Sequence, residues 1–183
     1  MKDGPSALDR MRSRYGTVGA GVYAAALSLL TLAALGLVGL VSHLPWLFPS
    51  LGPTVMLFFE SPGQPASRPT NTIVGHGVGL AAGVACFYGF GTADLQAAPV
   101  GGLQAPHVVA GAVSVALTTL VLTLLRMPHP PAGATTLIVS LGILHTPVQF
   151  ATMAAAIVLL AALGWALNLL LGTRPAGRDG GTA

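Results

Sequence analysis

Two short stretches of this chain have the residue types that suit them to binding a small anion. Residues 45–60 read PWLFPSLGPTVMLFFE and residues 127–136 read MPHPPAGATT. Proline forbids regular helix before it, and Pro53 and Pro131 suit the first turn of a helix that begins there. Such a turn offers unpaired amide hydrogens and the positive end of the helix dipole. With glycines that admit an anion and hydroxyls that donate to it, the predicted binding residues are Ser50, Gly52, Pro53, Thr54, His129, Pro130, Pro131, Gly133 and Thr135.

Four further polar residues lie near these stretches in the sequence. His76 is about one turn into an apolar span, where an ionisable side chain is a functional candidate, and with Asn71 shortly before it His76 is added to the predicted binding residues. The alternative for His76 is a neutral imidazole that hydrogen-bonds a neighbouring helix. Arg68 and Arg126 either fix the membrane topology or attract an anion to the mouth of the site.

Other kinds of chemistry find little support in the sequence. The acidic residues lie in tails and loops without a carboxylate pair, and no Ser/His/Asp arrangement can be defended, so no enzyme is predicted. Cys86 is the only cysteine. His43, His107 and His145 fall at span ends, where interfacial roles are expected. We therefore predict no metal site and no cofactor.

The remaining candidates are given structural roles. Gly79 and Gly83 form a small-residue face on which another helix can pack closely. Asn168, deep in the last apolar segment, is predicted to make a hydrogen bond between helices. The glycines around His76 resemble a nucleotide-binding motif only superficially, because no strand precedes them.

The composition indicates which elements must position these residues. Of 183 residues, 53% are hydrophobic and only 7% are charged, whereas soluble domains carry about 25% charged residues. An integral membrane protein is therefore predicted. The formal net charge is +3. Because the basic residues flank apolar spans, we attribute this charge to the positive-inside bias and expect no nucleic-acid partner.

The predicted fold is all-α and polytopic, with membrane lipids as its surroundings. A basic arm (1–16) and a disordered tail (172–183) flank a transmembrane region at 17–171. Two short segments, 45–60 and 128–145, are broken by Pro and Gly. Four long segments can each cross about 30 Å of hydrocarbon as a helix: about 17–42, 72–91, 107–126 and 147–171.

The order of segments indicates a duplication into repeats at about 17–91 and 107–171. If each broken segment crosses the membrane, the basic residues share one side and the repeats are inverted. This arrangement, with both termini cytoplasmic in a multi-pass cell-membrane protein, is preferred over four spans with two re-entrant segments. Six short crossings enclose little volume, so assembly into a homo-oligomer is also considered.

Several motifs make the chain similar to the HPP family of small integral membrane proteins. The family tripeptide occurs as His129, Pro130 and Pro131, followed by the small residues of HPPAGATTL. SLGPTVMLFF and PTNTIVGH match upstream in the expected order, and the similarity covers about 17–171. The family is usually described as having four transmembrane helices. Members commonly carry a basic residue before the asparagine, where this chain has Thr70.

The resemblance implies a function more specific than the residues alone suggest. Plant chloroplast members of the family are linked to nitrite transport across the envelope. The expected function is therefore a transporter or channel for a small inorganic anion, with nitrite as the leading candidate. The alternative is a non-transporting membrane partner or scaffold subunit, whose breaks serve packing.

Overall fold

The computed structural model describes residues 4–175, and the described chain is helical. Residues 1–3 and 176–183, which belong to the predicted arm and tail, lie outside the described part. Two single 3-10 turns, at Pro65–Ser67 and Thr92–Asp94, lie in the connections. The described residues form seven α-helices, which are in chain order: α1 (Ala7–Ser42), α2 (Leu51–Glu60), α3 (Pro69–Gly89), α4 (Ala98–Gly101), α5 (Ala105–Leu124), α6 (Ala132–Ser140) and α7 (Pro147–Leu170).

Four helices, α1, α3, α5 and α7, are long and apolar enough to span a membrane. Each coincides with one of the four predicted spans, which confirms the polytopic all-α fold. The predicted arm is helical from Ala7, with Ser6 and Asp9 forming a capping box at its start. Gly16 interrupts this helix, because its φ of 61° and ψ of −144° are not helical. Arg10, Arg12 and Arg14 therefore lie on a separate helical turn before the apolar part.

The chain passes six times between the two ends of the helix bundle. The amide of Ala7 donates to the carbonyl of Leu171 at 2.9 Å, which places the start of α1 beside the end of α7; we call this the near end and the opposite one the far end. Segment 44–50 runs back along the far part of α1. Asn168 then donates to the carbonyl of Phe58 at 2.9 Å, so α2 finishes at the near end.

The second broken segment makes the same passage in the opposite direction. His129 lies towards the near end of the bundle. Its Nδ1 is 2.9 Å from the carbonyl oxygen of Ala66, which belongs to the connection between α2 and α3. At the other extremity of α6, the carbonyl of Ser140 accepts from Thr92, which follows α3. Each broken segment is therefore part extended chain and part helix, as the six-passage arrangement requires.

The helices form two packed groups that exchange their last members. Helix α2 packs against α1 and α7, whereas α6 packs against α5 and α3. Each short helix thus contacts the first helix of its own half and the last helix of the other half. Contacts between α3 and α7 join the α1–α2–α7 group to the α3–α5–α6 group.

Large apolar side chains fill the α1–α2–α7 group. Phe58, Phe59 and Leu160 are fully buried there, and the ring of Trp165 is tilted by 59° to that of Phe58 with centroids 6.0 Å apart. Because lipid tails are as apolar as these side chains, close van der Waals packing is what stabilises the group in a membrane. Asn168 makes the predicted hydrogen bond between helices in this group.

Small residues bring the helices of the α3–α5–α6 group together. A Cβ at Gly79 would lie 2.6 Å from the carbonyl oxygen of Ala132, and one at Gly83 would lie 2.9 Å from that of Thr136. Such distances are too short for any side chain, so α3 and α6 meet backbone to backbone. The predicted packing face of Gly79 and Gly83 is confirmed.

Candidate functional site

The two broken segments begin their helices in the same way. Helix α2 begins at Leu51 and α6 at Ala132, and the residues before them, Ser50 and Pro131, share a helical conformation, with φ of −70° and −59°. Both helices then carry glycine at the second position and threonine at the fourth: Gly52 and Thr54 in α2, Gly133 and Thr135 in α6. The first turns are therefore equivalent, although their remaining residues differ.

His76 on α3 joins these two first turns. Its side chain is fully buried, with Nε2 2.9 Å from the hydroxyl oxygen of Thr54 and Nδ1 2.7 Å from that of Thr135. The single hydroxyl hydrogen of Thr54 goes to the carbonyl of Ser50 at 2.9 Å, so Thr54 accepts from His76 Nε2–H. Thr135 then donates to Nδ1. This pattern assigns a neutral imidazole with both nitrogens satisfied.

His129 lies directly against His76, with ring centroids 4.7 Å apart in an edge-to-face arrangement. Its Nδ1 is 2.9 Å from the carbonyl oxygen of Ala66. Since a carbonyl only accepts, Nδ1 carries the hydrogen, and Nε2 of the neutral ring is an acceptor. Nε2 is buried and meets no hydrogen-bond partner within residues 4–175. Such a group costs about 1–3 kcal/mol, so its retention requires an explanation.

The amides of the first turn of α6 are not free, which corrects the predicted binding mode. The amides of Ala132 and Gly133 donate to the carbonyls of His129 and Pro130 at 3.0 and 3.1 Å. Those of Ala134 and Thr135 share the carbonyl of Pro131. Proline turns before the helix supply these acceptors. The hydrogen-bond donors for an anion would therefore be side chains and not the backbone at α6.

A cleft of about 540 Å³ opens between α5 and the start of α6. We call it the α5 cleft. A Cβ at Gly133 would meet no atom within 4 Å, so this glycine leaves open space. The polar and small residues lining the cleft are Thr118, Thr119, Thr123, Arg126, His129 and Gly133. The cleft thus combines one cation, three hydroxyls and the residue with the unpaired Nε2.

A second cleft, of about 530 Å³, lies on the other side of Pro130. We call it the α2 cleft. Pro53, Met56 and Pro131 give it a mainly apolar lining, and Glu60 is its charged residue. A carboxylate repels an anion, so the α5 cleft is the better candidate for anion binding. Pro53 and Pro131 therefore lie outside the lining of the favoured cleft.

The other predicted residues have structural contacts in the described chain. Asn71 donates to the carbonyl of Pro128 at 3.3 Å and so attaches α3 to the segment before His129. The Ser50 hydroxyl is buried, while its carbonyl accepts from Thr54. Arg68 precedes α3 and its amide donates to the carbonyl of Pro65. Arg126, exposed and with a φ of 53°, lines the α5 cleft.

The histidines at the span ends differ from one another. His43 and His145 are exposed at helix ends. His107 lies in the first turn of α5, and its side chain is fully buried. Its Nδ1 accepts from the amide of Gln104 at 3.3 Å and completes the cap of α5. Within residues 4–175, no three His, Cys, Asp or Glu side chains form a group that could hold a metal ion.

The sequence reasoning missed three contributors to the site. Thr118 and Thr136 place their hydroxyl oxygens 2.9 Å apart between α5 and α6, and the Ala66 carbonyl fixes the His129 ring. The equivalence of LGPT (51–54) and AGAT (132–135) was visible as a shared Gly-x-Thr spacing. The carbonyl of Ala66 carries no sequence signal, because every residue has one.

Four helices that are long and apolar enough to span a membrane, packed with two shorter ones around a buried polar centre, are typical of a helical membrane protein. The family model described as "HPP, transmembrane region" matches residues 13–176. The chain therefore belongs to the HPP transmembrane family. No curated protein and no solved structure matches it.

Proposed function

We propose that this protein carries a small inorganic anion across a membrane, with nitrite as the leading candidate. One observation carries the proposal: His129, whose Nε2 is buried and has no hydrogen-bond partner among residues 4–175, lines the α5 cleft together with Arg126. Buried polar groups are normally paired. A transported ligand explains why a residue with such a nitrogen lines the same cleft as a cation in an apolar protein.

The charges around the α5 cleft support an anion over a cation. Arg126 attracts negative charge, and no carboxylate of the described residues lines this cleft. The exposed Thr119 hydroxyl can donate to an anion, whereas the hydroxyl hydrogens of Thr118 and Thr123 go to the carbonyls of Ser114 and Thr119. Glu60 lies in the α2 cleft and disfavours an anion there. Nitrite as the specific ion rests on the resemblance to chloroplast members alone.

The distribution of basic residues supports an orientation in a cell membrane. The near end holds the arginines of the arm, Arg68, Arg126 and Arg174, whereas Asp94 lies towards the far end. By the positive-inside rule, the near end and both termini would face the cytoplasm. Cysteine labelling of the 92–104 connection in intact cells tests this orientation. Reaction with a membrane-impermeant reagent is expected there and not in the 61–68 connection.

Uptake into proteoliposomes tests the proposed function. Purified protein is reconstituted, and entry of nitrite, nitrate, formate and, as a cation control, ammonium is compared with entry into empty liposomes. We expect protein-dependent entry of nitrite and none of ammonium. Absence of protein-dependent flux for all three anions would remove the proposal.

A non-transporting membrane partner is the second candidate, and two observations favour it. The first-turn amides of α6 are paired, and both nitrogens of His76 are satisfied, as a purely structural break requires. Under this candidate, Gly133→Leu disturbs assembly with other subunits and leaves permeability unchanged. Isolation as a lone homo-oligomer with anion flux would favour transport. No enzymatic activity forms part of either proposal.

A further inference from the structure

We infer that each anion binds together with one proton, which is held on His129 Nε2. This inference rests on the proposed transport function and specifies its driving force. It starts from the assignment of the two ring nitrogens. Nδ1–H donates to the Ala66 carbonyl at 2.9 Å, so Nε2 of the neutral ring presents a lone pair. A lone pair repels an anion. Only after Nε2 gains a proton can it donate to one.

The ring is held in this orientation on several sides. A Cβ at Gly75 would lie 2.6 Å from the Cβ of His129 and 3.0 Å from its Cδ2, so α3 lies against the ring. The edge-to-face contact with His76 closes another side. Rotating the ring by 180° about χ2 would break the bond to Ala66. The roles of Nδ1 and Nε2 are therefore fixed by packing.

The titratable and charged groups near His129 leave it as the proton acceptor. His76 on α3 uses both nitrogens with Thr54 and Thr135, so protonating it would break the bond from Thr135. Arg126, after α5, carries a guanidinium group, which has no lone pair to accept a proton. The two other charged groups in this region lie elsewhere: Arg68 follows the turn that contains Ala66, and Glu60 lines the α2 cleft with Pro130. Among these groups, the imidazole of His129 combines a free lone pair with a place in the α5 cleft.

Arg126 makes proton and anion binding cooperative. A proton on His129 next to Arg126 places two positive charges in one cleft, which is unfavourable without an anion near them. The anion therefore favours the proton, and the proton favours the anion to the same extent. In binding, a proton from water forms the Nε2–H bond. In release, that bond breaks and the proton leaves with the anion, so no charge is moved overall.

A parallel measurement of protons and anions tests this inference. Proteoliposomes contain a pH-sensitive dye, and internal pH is followed while nitrite uptake is assayed chemically, with empty liposomes correcting for nitrous acid that crosses the lipid. We expect one proton per nitrite, uptake driven by an inward proton gradient, and no effect of a potassium–valinomycin potential. Nitrite flux without protons, or flux that follows the membrane potential, overturns the inference and leaves transport standing. Absence of any flux overturns both.

His129→Asn identifies the proton carrier. The Asn amide can still donate to the Ala66 carbonyl, but nothing replaces Nε2. We expect loss of accumulation under a proton gradient while the protein stays monodisperse. An unchanged ratio of protons to nitrite in this variant would contradict the role of His129. If His129→Asn does not fold, Arg126→Gln serves instead, and an unchanged dependence of proton uptake on nitrite concentration would contradict the cooperative binding.

Discussion

The two helix groups share an arrangement but differ in what fills them. In the α1–α2–α7 group the short helix is surrounded by Phe, Leu and Trp side chains. In the α3–α5–α6 group glycine, threonine and histidine contact the first turns of the short helix, while Ile138 and Val139 further along it belong to the hydrophobic core. The same broken-helix backbone is thus embedded in an apolar core on one side and borders a polar cleft on the other. A broken helix alone does not form a binding site, because the residues around it determine whether it borders a polar cleft.

The first turns show this difference most clearly. Thr54 and Thr135 occupy equivalent positions and bind the same imidazole. Gly52 and Gly133 are also equivalent, and a Cβ at either would meet no described atom within 4 Å, but Gly133 lines the α5 cleft with Arg126 whereas Gly52 lies outside that lining. If the α5 cleft binds the anion, substitutions at the equivalent positions of α2 and α6 should have unequal effects on transport and more equal effects on stability.

The largest effect on stability is expected from Gly79→Ala. Its Cβ would lie 2.6 Å from the Ala132 carbonyl oxygen, and backbone cannot move aside, so about 2–3 kcal/mol should be lost. Gly164→Ala in the other group meets a ring carbon of Phe58 at 2.5 Å, and because a side chain can shift, a smaller loss is expected. Thermal unfolding in detergent measures both, with Gly77→Ala as an open-space control. Equal losses of stability at Gly79 and Gly164 would contradict this difference between the two helix groups.

The next largest effect is expected on transport, from Gly133→Leu. The side chain would fill part of the α5 cleft and lower nitrite uptake by about thirty-fold, equivalent to about 2 kcal/mol. Gly52→Leu is the matched control, because it adds the same side chain at the equivalent position outside that cleft. Its uptake should stay near the wild-type rate. Reversed effects would move the site to the α1–α2–α7 group.

A smaller effect is expected from the threonines that hold His76. Thr54→Val and Thr135→Val each leave one buried nitrogen unpaired, at a cost of about 1–3 kcal/mol. Thr54→Val should cost more, because its hydroxyl also donates to Ser50. In a His76→Leu background the cost of Thr135→Val should fall towards zero, and that of Thr54→Val should fall to the part due to its bond with Ser50, as a double-mutant cycle of unfolding free energies reveals. Additive losses would show that His76 does not join the two halves.

The smallest effect is expected from Arg126→Gln. An exposed arginine in a solvated cleft contributes about 1 kcal/mol or less, so the KM for nitrite should rise about three-fold with little change in kcat. Arg126→Lys should retain most of the affinity. The difference should shrink at high salt, since exposed charges are screened. A KM that does not depend on the charge at residue 126 would remove Arg126 from the site.

Much of the fold is readable from the sequence because lipid imposes simple rules. The four spans follow from apolar length, and the helix starts predicted at Pro53 and Pro131 lie within two residues of the observed starts, Leu51 and Ala132. Proline constrains the backbone locally, so its effect is visible in one dimension. The helical conformation of the arm from Ala7 was not predicted, because its charges indicate a solvent-exposed segment. The Ser6 and Asp9 capping box is the sequence signal for this helix start.

The site is less readable, because it depends on contacts distant in the sequence. His76 and Thr135 are 59 residues apart, and His129 is 63 residues from Ala66. Residue type indicated His76 and His129 as candidates, but it could not show which one is satisfied. The prediction of unpaired amides at the start of α6 was wrong for a related reason. Whether a turn before the helix pairs these amides depends on local dihedral angles, which the Pro-Pro sequence allows but does not determine.

Chemical labelling at the two equivalent glycines tests most directly whether the α5 cleft binds anions. In a Cys86→Ala background, Gly133→Cys and Gly52→Cys are reacted with a negatively charged thiosulfonate, with and without nitrite. Gly133→Cys should react and be protected by nitrite, whereas nitrite should not change the reaction of Gly52→Cys. Failure of Gly133→Cys to react with the charged reagent, or equal protection at both positions, would contradict an anion site in the α5 cleft.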